Sequence, residues 1–259
     1  MPPMTDIQAV SGATPIGRPS NVIHVVLRNA VCARCNNRWM SDLEKSFVNT
    51  LGTQLSTPKA RRLDPSQQER IARWAVKTAL LMTLWTSVQS PTATQFGYYV
   101  PDADLRWFPN NTTPPPRTRV WIGAVHDPGH RAAHLQSAAL SVEMTKPIAY
   151  FVTLSLGYLL FQVFGTQFTD MKDPSTGRES PAIDPPPPLN QALTNIWPGN
   201  GHDSVWPPSA TIPSATLDNV SEWPAQLIRR DGAQPYAPGR WAVRPSVPVP
   251  PWPPSTPIP

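Results

Sequence analysis

The sequence predicts an α+β protein: a cysteine knuckle after a short strand, two helices, a small antiparallel sheet, and an extended Pro/Trp-rich C-terminal segment. Three observations carry that expectation. Apolar residues recur at helical spacing from about residue 41 to residue 86, and beyond residue 90 they alternate with period two. Of the 35 prolines, 21 fall from Met171 onward, where no long periodic apolar run remains. Four regions follow. Residues 1–20 read as a loose tail, 21–90 as a basic unit of half-knuckle plus two helices, and 91–170 as a small β-rich region. Residues 171–259 read as a Pro/Trp-rich extended segment, partly disordered.

Taken in order, residues 22–31 (Val-Ile-His-Val-Val-Leu-Arg-Asn-Ala-Val) read as a strand leading into Cys32-Ala33-Arg34-Cys35. A helix is expected to start at Ser41. This residue would be its N-cap, with Glu44 three positions on completing a capping box. Leu43, Phe47, Leu51 and Leu55 then follow on one face. A second start signal stands at Asp64-Pro65-Ser66-Gln67, with Asp as cap and Pro at the first helical position. That helix should run to about Thr86. Ile71, Ala75, Ala79 and Met82 share one face, and Arg70, Arg73 and Lys77 form a wet basic edge. Strands are expected over residues 119–125, 138–145 and 150–164, with Gly157 marking a bend in the last.

The formal charge of +5 is unevenly placed. Residues 1–90 hold 11 Lys/Arg against 5 Asp/Glu, whereas residues 91–259 hold 11 against 12. A basic N-terminal third suits a polyanion such as nucleic acid, with a solvated basic face as the alternative. Residues 147–169 contain no charge, but Val152, Leu154, Leu156 and Tyr158 alternate with Thr153, Ser155 and Gly157. That period belongs to buried strands, so no membrane partner is expected. The first 30 residues show no secretory signal pattern, and a cytoplasmic location is expected.

Cys32 and Cys35 are the only cysteines. Two thiolates separated by two residues can grip one zinc ion from a tight turn, which is half of a tetrahedral structural site. Two other readings stay open: a redox pair and a pair of inert thiols. A strand, C-x-x-C and then a helix is also the order in thioredoxin-like proteins, although there the helix begins at the first cysteine. His24 is a weak candidate third ligand, and His126, His130 and His134 sit around a Pro-Gly turn. A second copy of the chain could supply the missing pair, giving a homodimer with a shared zinc site.

The run Cys32-Ala33-Arg34-Cys35-Asn36-Asn37-Arg38-Trp39-Met40-Ser41-Asp42-Leu43-Glu44 resembles the second zinc knuckle of HNH-endonuclease-like proteins of bacteria and phages, C-x-x-C-N-x-x-W-M-S-x-L-E. The resemblance extends over residues 74–80, 154–163 and the Trp-Pro pairs at Trp197 and Trp206. It implies a nucleic-acid-binding protein, DNA rather than RNA, with Cys32 and Cys35 as structural zinc ligands. It also implies that Asn36 helps hold a catalytic divalent ion, usually Mg²⁺, whose Lewis acidity assists phosphodiester hydrolysis. The family's first C-x-x-C and its catalytic histidine are not found ahead of Cys32. A truncated or catalytically incomplete relative is therefore expected. Arg34, Arg38, Arg61, Arg62, Arg70 and Arg73 are the candidate phosphate contacts. The alternative is a non-catalytic interaction protein with a cysteine clip, docking through its Pro/Trp-rich tail and the polyproline run 185–188. A third reading is a thiol redox protein.

Overall fold

A computed structural model describes residues 7–9, 31–89, 102–128, 133–142, 146–166, 184–220, 223 and 244–245. Strand β1 is Ile7–Ala9; later come α1 (Ala33–Cys35), a kinked turn (Asn36–Met40) bent at Arg38, and α2 (Ser41–Leu51). Next come β2 (Arg61–Leu63), α3 (Pro65–Gln89) and α4 (Asp102–Trp107). The strands β3 (Thr118–Ala124), β4 (Ala133–Val142), β5 (Lys146–Leu156) and β6 (Leu159–Thr166) form the middle of the chain. Then follow β7 (Leu193–Trp197), β8 (Ser204–Trp206), β9 (Ala210–Thr211), α5 (Leu217–Val220) and β10 (Arg244–Pro245).

The α+β class holds, with helices and mainly antiparallel strand pairing. Six strands run in the order β1-β4-β5-β6-β3-β7, and β1 lies parallel to β4 while the other neighbours are antiparallel. The sheet's two edges come from outside residues 91–170. Ile7–Ala9, expected in a loose tail, is one edge, and Leu193–Trp197, expected in extended chain, is the other. Strand pairing depends on the partner's backbone, which local composition does not report.

Alternation in the strands sorts side chains onto two covered faces. Val120, Ile122, Tyr150, Val152, Leu154, Phe161 and Val163 join Phe47, Leu51, Ile71 and Trp74 of the helices in one core cluster. Trp121, Phe151, Leu160 and Phe164 pack instead with Leu193, Ile212, Leu217, Val220 and Trp223 in a second. Residues 150–155 and 159–165 of the uncharged run are therefore sheet interior, and among the described residues no helix is long and apolar enough to cross a membrane. Gly157 closes the β5–β6 hairpin at φ 55°, and a Cβ there would lie 1.7 Å from the Leu55 carbonyl oxygen. Only glycine fits both demands.

The second helix starts as expected. The Asp64 carboxylate accepts from Gln67 N–H at 2.8 Å, and Gln67 Oε1 accepts from Asp64 N–H at 3.1 Å. The first does not. Ser41 has helical backbone angles (φ −61°, ψ −39°), as does Met40 before it, so its helix is already under way past the kink at Arg38; the first segment, capped by Cys32, begins at Ala33. Glu44 consequently makes no capping box. Its carboxylate turns toward α3. The expected strand ahead of Cys32 falls on residues 22–30, outside the described residues.

Several described residues of the Pro/Trp-rich region are packed. Trp206 is fully buried and its indole N–H donates to the Gly123 carbonyl at 2.7 Å. Trp223 donates to the buried Gln162 side chain at 2.6 Å, and Gln162 donates to the Val220 carbonyl at 2.9 Å. The proline run leads into a turn: Pro186 and Pro188 carbonyls accept from Asn190 and Gln191 N–H groups, and Leu189 is buried while Pro187 is exposed.

Candidate functional site

Helix starts leave backbone N–H groups without intrahelical partners. Cys32, in extended conformation (φ −69°, ψ 148°), places Sγ over one of them and accepts from Cys35 N–H at 3.2 Å. Hydrogen bonding from Cys35, through its side chain first and its backbone second, holds the Cys32 thiol below the usual thiol range. Cys32 is exposed and Cys35 half-buried. The two cysteines thus share one helical turn, and the sequence expectation of a helix remote from them is corrected.

Past Cys35 the chain kinks at Arg38, which departs from helical angles (φ −117°, ψ −108°), so two helical segments meet there. Asn36, Asn37, Met40, Ser41 and Glu44 line a shallow concavity of about 260 Å³. The Asn36 amide N–H donates weakly to Asn37 Oδ1 at 3.4 Å, and the Asn36 side-chain carbonyl accepts from no described residue. An uncharged carbonyl oxygen is a suitable donor to a hard divalent ion.

Glu44 forms the far wall of this concavity. Trp74 Nε1 donates to one of its oxygens at 2.7 Å, and the Lys77 ammonium pairs with the other. Lys77 is only 5% exposed. Burial pulls its pKa below the usual lysine range, and the Glu44 charge and hydrogen bond offset part of that shift. The basic edge expected on α3 is therefore dry at Lys77. Reading the sequence as a capped helix hid this cluster. The available signal was a lysine one turn from Trp74 in an otherwise apolar run, a position that requires a paired charge.

Arg73, a candidate phosphate contact, is half-buried. Its Nη2 donates to the Phe108 carbonyl at 2.9 Å. The guanidinium lies 5.4 Å from the Trp39 ring centroid and 5.9 Å from that of Phe108. Burial lowers its pKa, partly countered by Glu69. Trp39 and Phe108 are stacked, with centroids 5.6 Å apart. Arg73 thus fastens the kinked turn to the end of α4. Arg62 is exposed but held by Asp203. Arg34, Arg38, Arg61 and Arg70 are exposed and make no ion pair among the described residues.

Among the described residues no group of three or more His, Cys, Asp and Glu side chains is placed to hold a metal ion. The donors brought together fit half of a zinc site, Cys32 and Cys35. His24 and His130 lie outside the described residues, and His134 sits on β4 opposite Gln8 and Ser155. His126 approaches Thr211, its Nδ1 lying 3.4 Å from the hydroxyl. No protein-family model, no curated protein and no solved structure matches this chain.

Proposed function

We propose that this chain is an HNH-endonuclease-related protein that binds nucleic acid, DNA in preference to RNA, through the surface around its cysteine turn. The observation that supports the reading most is a contact between two separate stretches of the resemblance. Glu44, the last residue of the knuckle run, is gripped by Trp74 and Lys77, both within the second stretch. This contact anchors the turn bearing Asn36 to the central helix, beside exposed Arg34 and Arg38.

In this reading Cys32 and Cys35 are half of a structural zinc site, completed by ligands outside the described residues or by a second copy of the chain. Asn36 is the residue that would hold Mg²⁺, which would supply Lewis acidity toward a phosphodiester. The described residues provide no base to activate water at this site. Their contribution is to hold phosphate: Arg34, Arg38, Arg61 and Arg70 supply free guanidinium groups, while Arg62 contributes less because Asp203 already engages it.

The test is fluorescence anisotropy with a labelled duplex over a series of salt concentrations. Binding should weaken linearly in log–log form, with a slope of roughly −0.9 per phosphate contacted. Replacing Arg34, Arg38, Arg61 and Arg70 together by Ala should flatten that slope. Absent or salt-independent binding would overturn the proposal.

A further inference from the structure

We infer that Cys32 and Cys35 are a thiol–disulfide exchange couple, in which Cys32 attacks a small anionic disulfide and Cys35 resolves the product. The inference stands on reach, exposure and charge, and goes beyond the nucleic-acid reading. Cys32 is exposed at the head of a helical stretch, open to a reagent in solution. Cys35 is one turn on, half-buried, and its backbone nitrogen lies 3.2 Å from Cys32 Sγ. Residues three apart in a helical turn have Cα atoms about 5 Å apart, inside the window of roughly 4.4–6.8 Å that a disulfide spans. The second sulfur is therefore within closing distance without unwinding the chain. The chain has no third cysteine to compete within one molecule.

The neighbouring charge selects the reagent. Arg34 stands between the cysteines and Arg38 just past them, both exposed and free of carboxylates among the described residues. Such a field draws anions toward Cys32 and favours a negatively charged disulfide such as glutathione disulfide. The thiolate of Cys32 attacks one sulfur of that reagent, its S–S bond breaks, and one thiolate leaves and takes up a proton. The Cys35 sulfur, releasing its proton, then attacks Cys32 Sγ and expels the second thiolate, which is protonated in turn. Two cysteine thiols are oxidised to one disulfide, and the reagent is reduced to two thiols. A closed Cys32–Cys35 bond offers no thiolate to an ion, so oxidation would empty the half-site. That last consequence alone rests on the zinc reading.

The test uses the full chain, reduced and stripped of metal, mixed with glutathione disulfide, quenched with iodoacetamide and read by peptide mass. Wild type should lose two hydrogens and acquire an intramolecular Cys32–Cys35 disulfide. Cys35→Ser should accumulate the glutathione adduct on Cys32. Cys32→Ser should react at Cys35 on the order of tenfold more slowly. Equal reactivity at both positions, a wild-type mixed disulfide that never closes, or disulfide-linked dimers would each overturn the couple. Replacing both Arg34 and Arg38 by Gln should slow glutathione disulfide but not neutral hydroxyethyl disulfide; equal slowing would remove the electrostatic part. Zinc content of untreated protein is measured separately, so failure of the metal reading leaves this result unaffected.

Discussion

Glu44 receives two donors from α3, and Lys77 is the more consequential one because it is almost wholly buried. Glu44→Ala would leave that ammonium unpaired and strand the Trp74 indole N–H. Because Glu44 is itself half exposed, the expected loss is about 2 kcal/mol in urea unfolding, below the range for fully buried pairs. Lys77 also makes stability depend on pH. Its folded-state pKa is depressed chiefly by burial, so between that value and the unfolded lysine range the unfolded chain binds more protons. Stability should therefore rise with pH through that window, and the cost of the buried charge should be fully present below it. Unfolding of wild type and Lys77→Met at pH 7 and at alkaline pH checks the sign: the difference should narrow for wild type's benefit as pH rises. Arg73 teaches the complementary point. Its charge reads as a phosphate contact in sequence, but the Phe108 carbonyl and two aromatic rings occupy it.

The two helix starts separate what a local motif can and cannot say. Asp64 and Gln67 exchange hydrogen bonds, and the proline between them sits where a missing N–H does no harm. Asp64→Ala should cost about 1 kcal/mol. Ser41 and Glu44 have the same spacing, yet Ser41 and Met40 are both helical, so the helix is already under way and Ser41 is not its capping residue. Ser41→Ala should thus be nearly neutral, within about 0.5 kcal/mol, measured by the same denaturation. A loss as large as that of Asp64→Ala would mean that the helix begins at Ser41 after all. The hairpin is the opposite case, where a single residue was legible: Gly157 divides the apolar run because φ is positive and Leu55 leaves no room for a side chain.

The second face of the sheet is completed by the C-terminal region. Gln162, Thr153 and Ser155 are buried polar residues on that side, and Gln162 is satisfied by Trp223, Val220 and Thr153. Trp223→Ala would leave a cavity against Trp121 and Phe151 and an unpaired Gln162 carbonyl oxygen. The expected cost is about 3–5 kcal/mol, measurable as a lower denaturant midpoint with little change in the slope. An unchanged midpoint would show that the segment around Trp223 does not hold the sheet. Among the described residues after 184, Trp206 and Trp223 are core, and Pro186 and Pro188 accept backbone hydrogen bonds in a turn.

By itself the sequence determined the elements whose signals are local: the Asp64 cap, the period-two strands, the Gly157 turn and the cysteine turn next to a basic helix. These depend on a residue and its near neighbours, so composition and spacing suffice. Only the tertiary structure decided which strands form the sheet's edges, where the first helix begins, and which charges are spent. It buried Lys77 against Glu44, folded Arg73 over Trp39, and left Arg34, Arg38, Arg61 and Arg70 at the surface. The physical reason is that pairing, desolvation and hydrogen-bond satisfaction are properties of what lies across space, and the residues involved stand more than thirty positions apart in the chain.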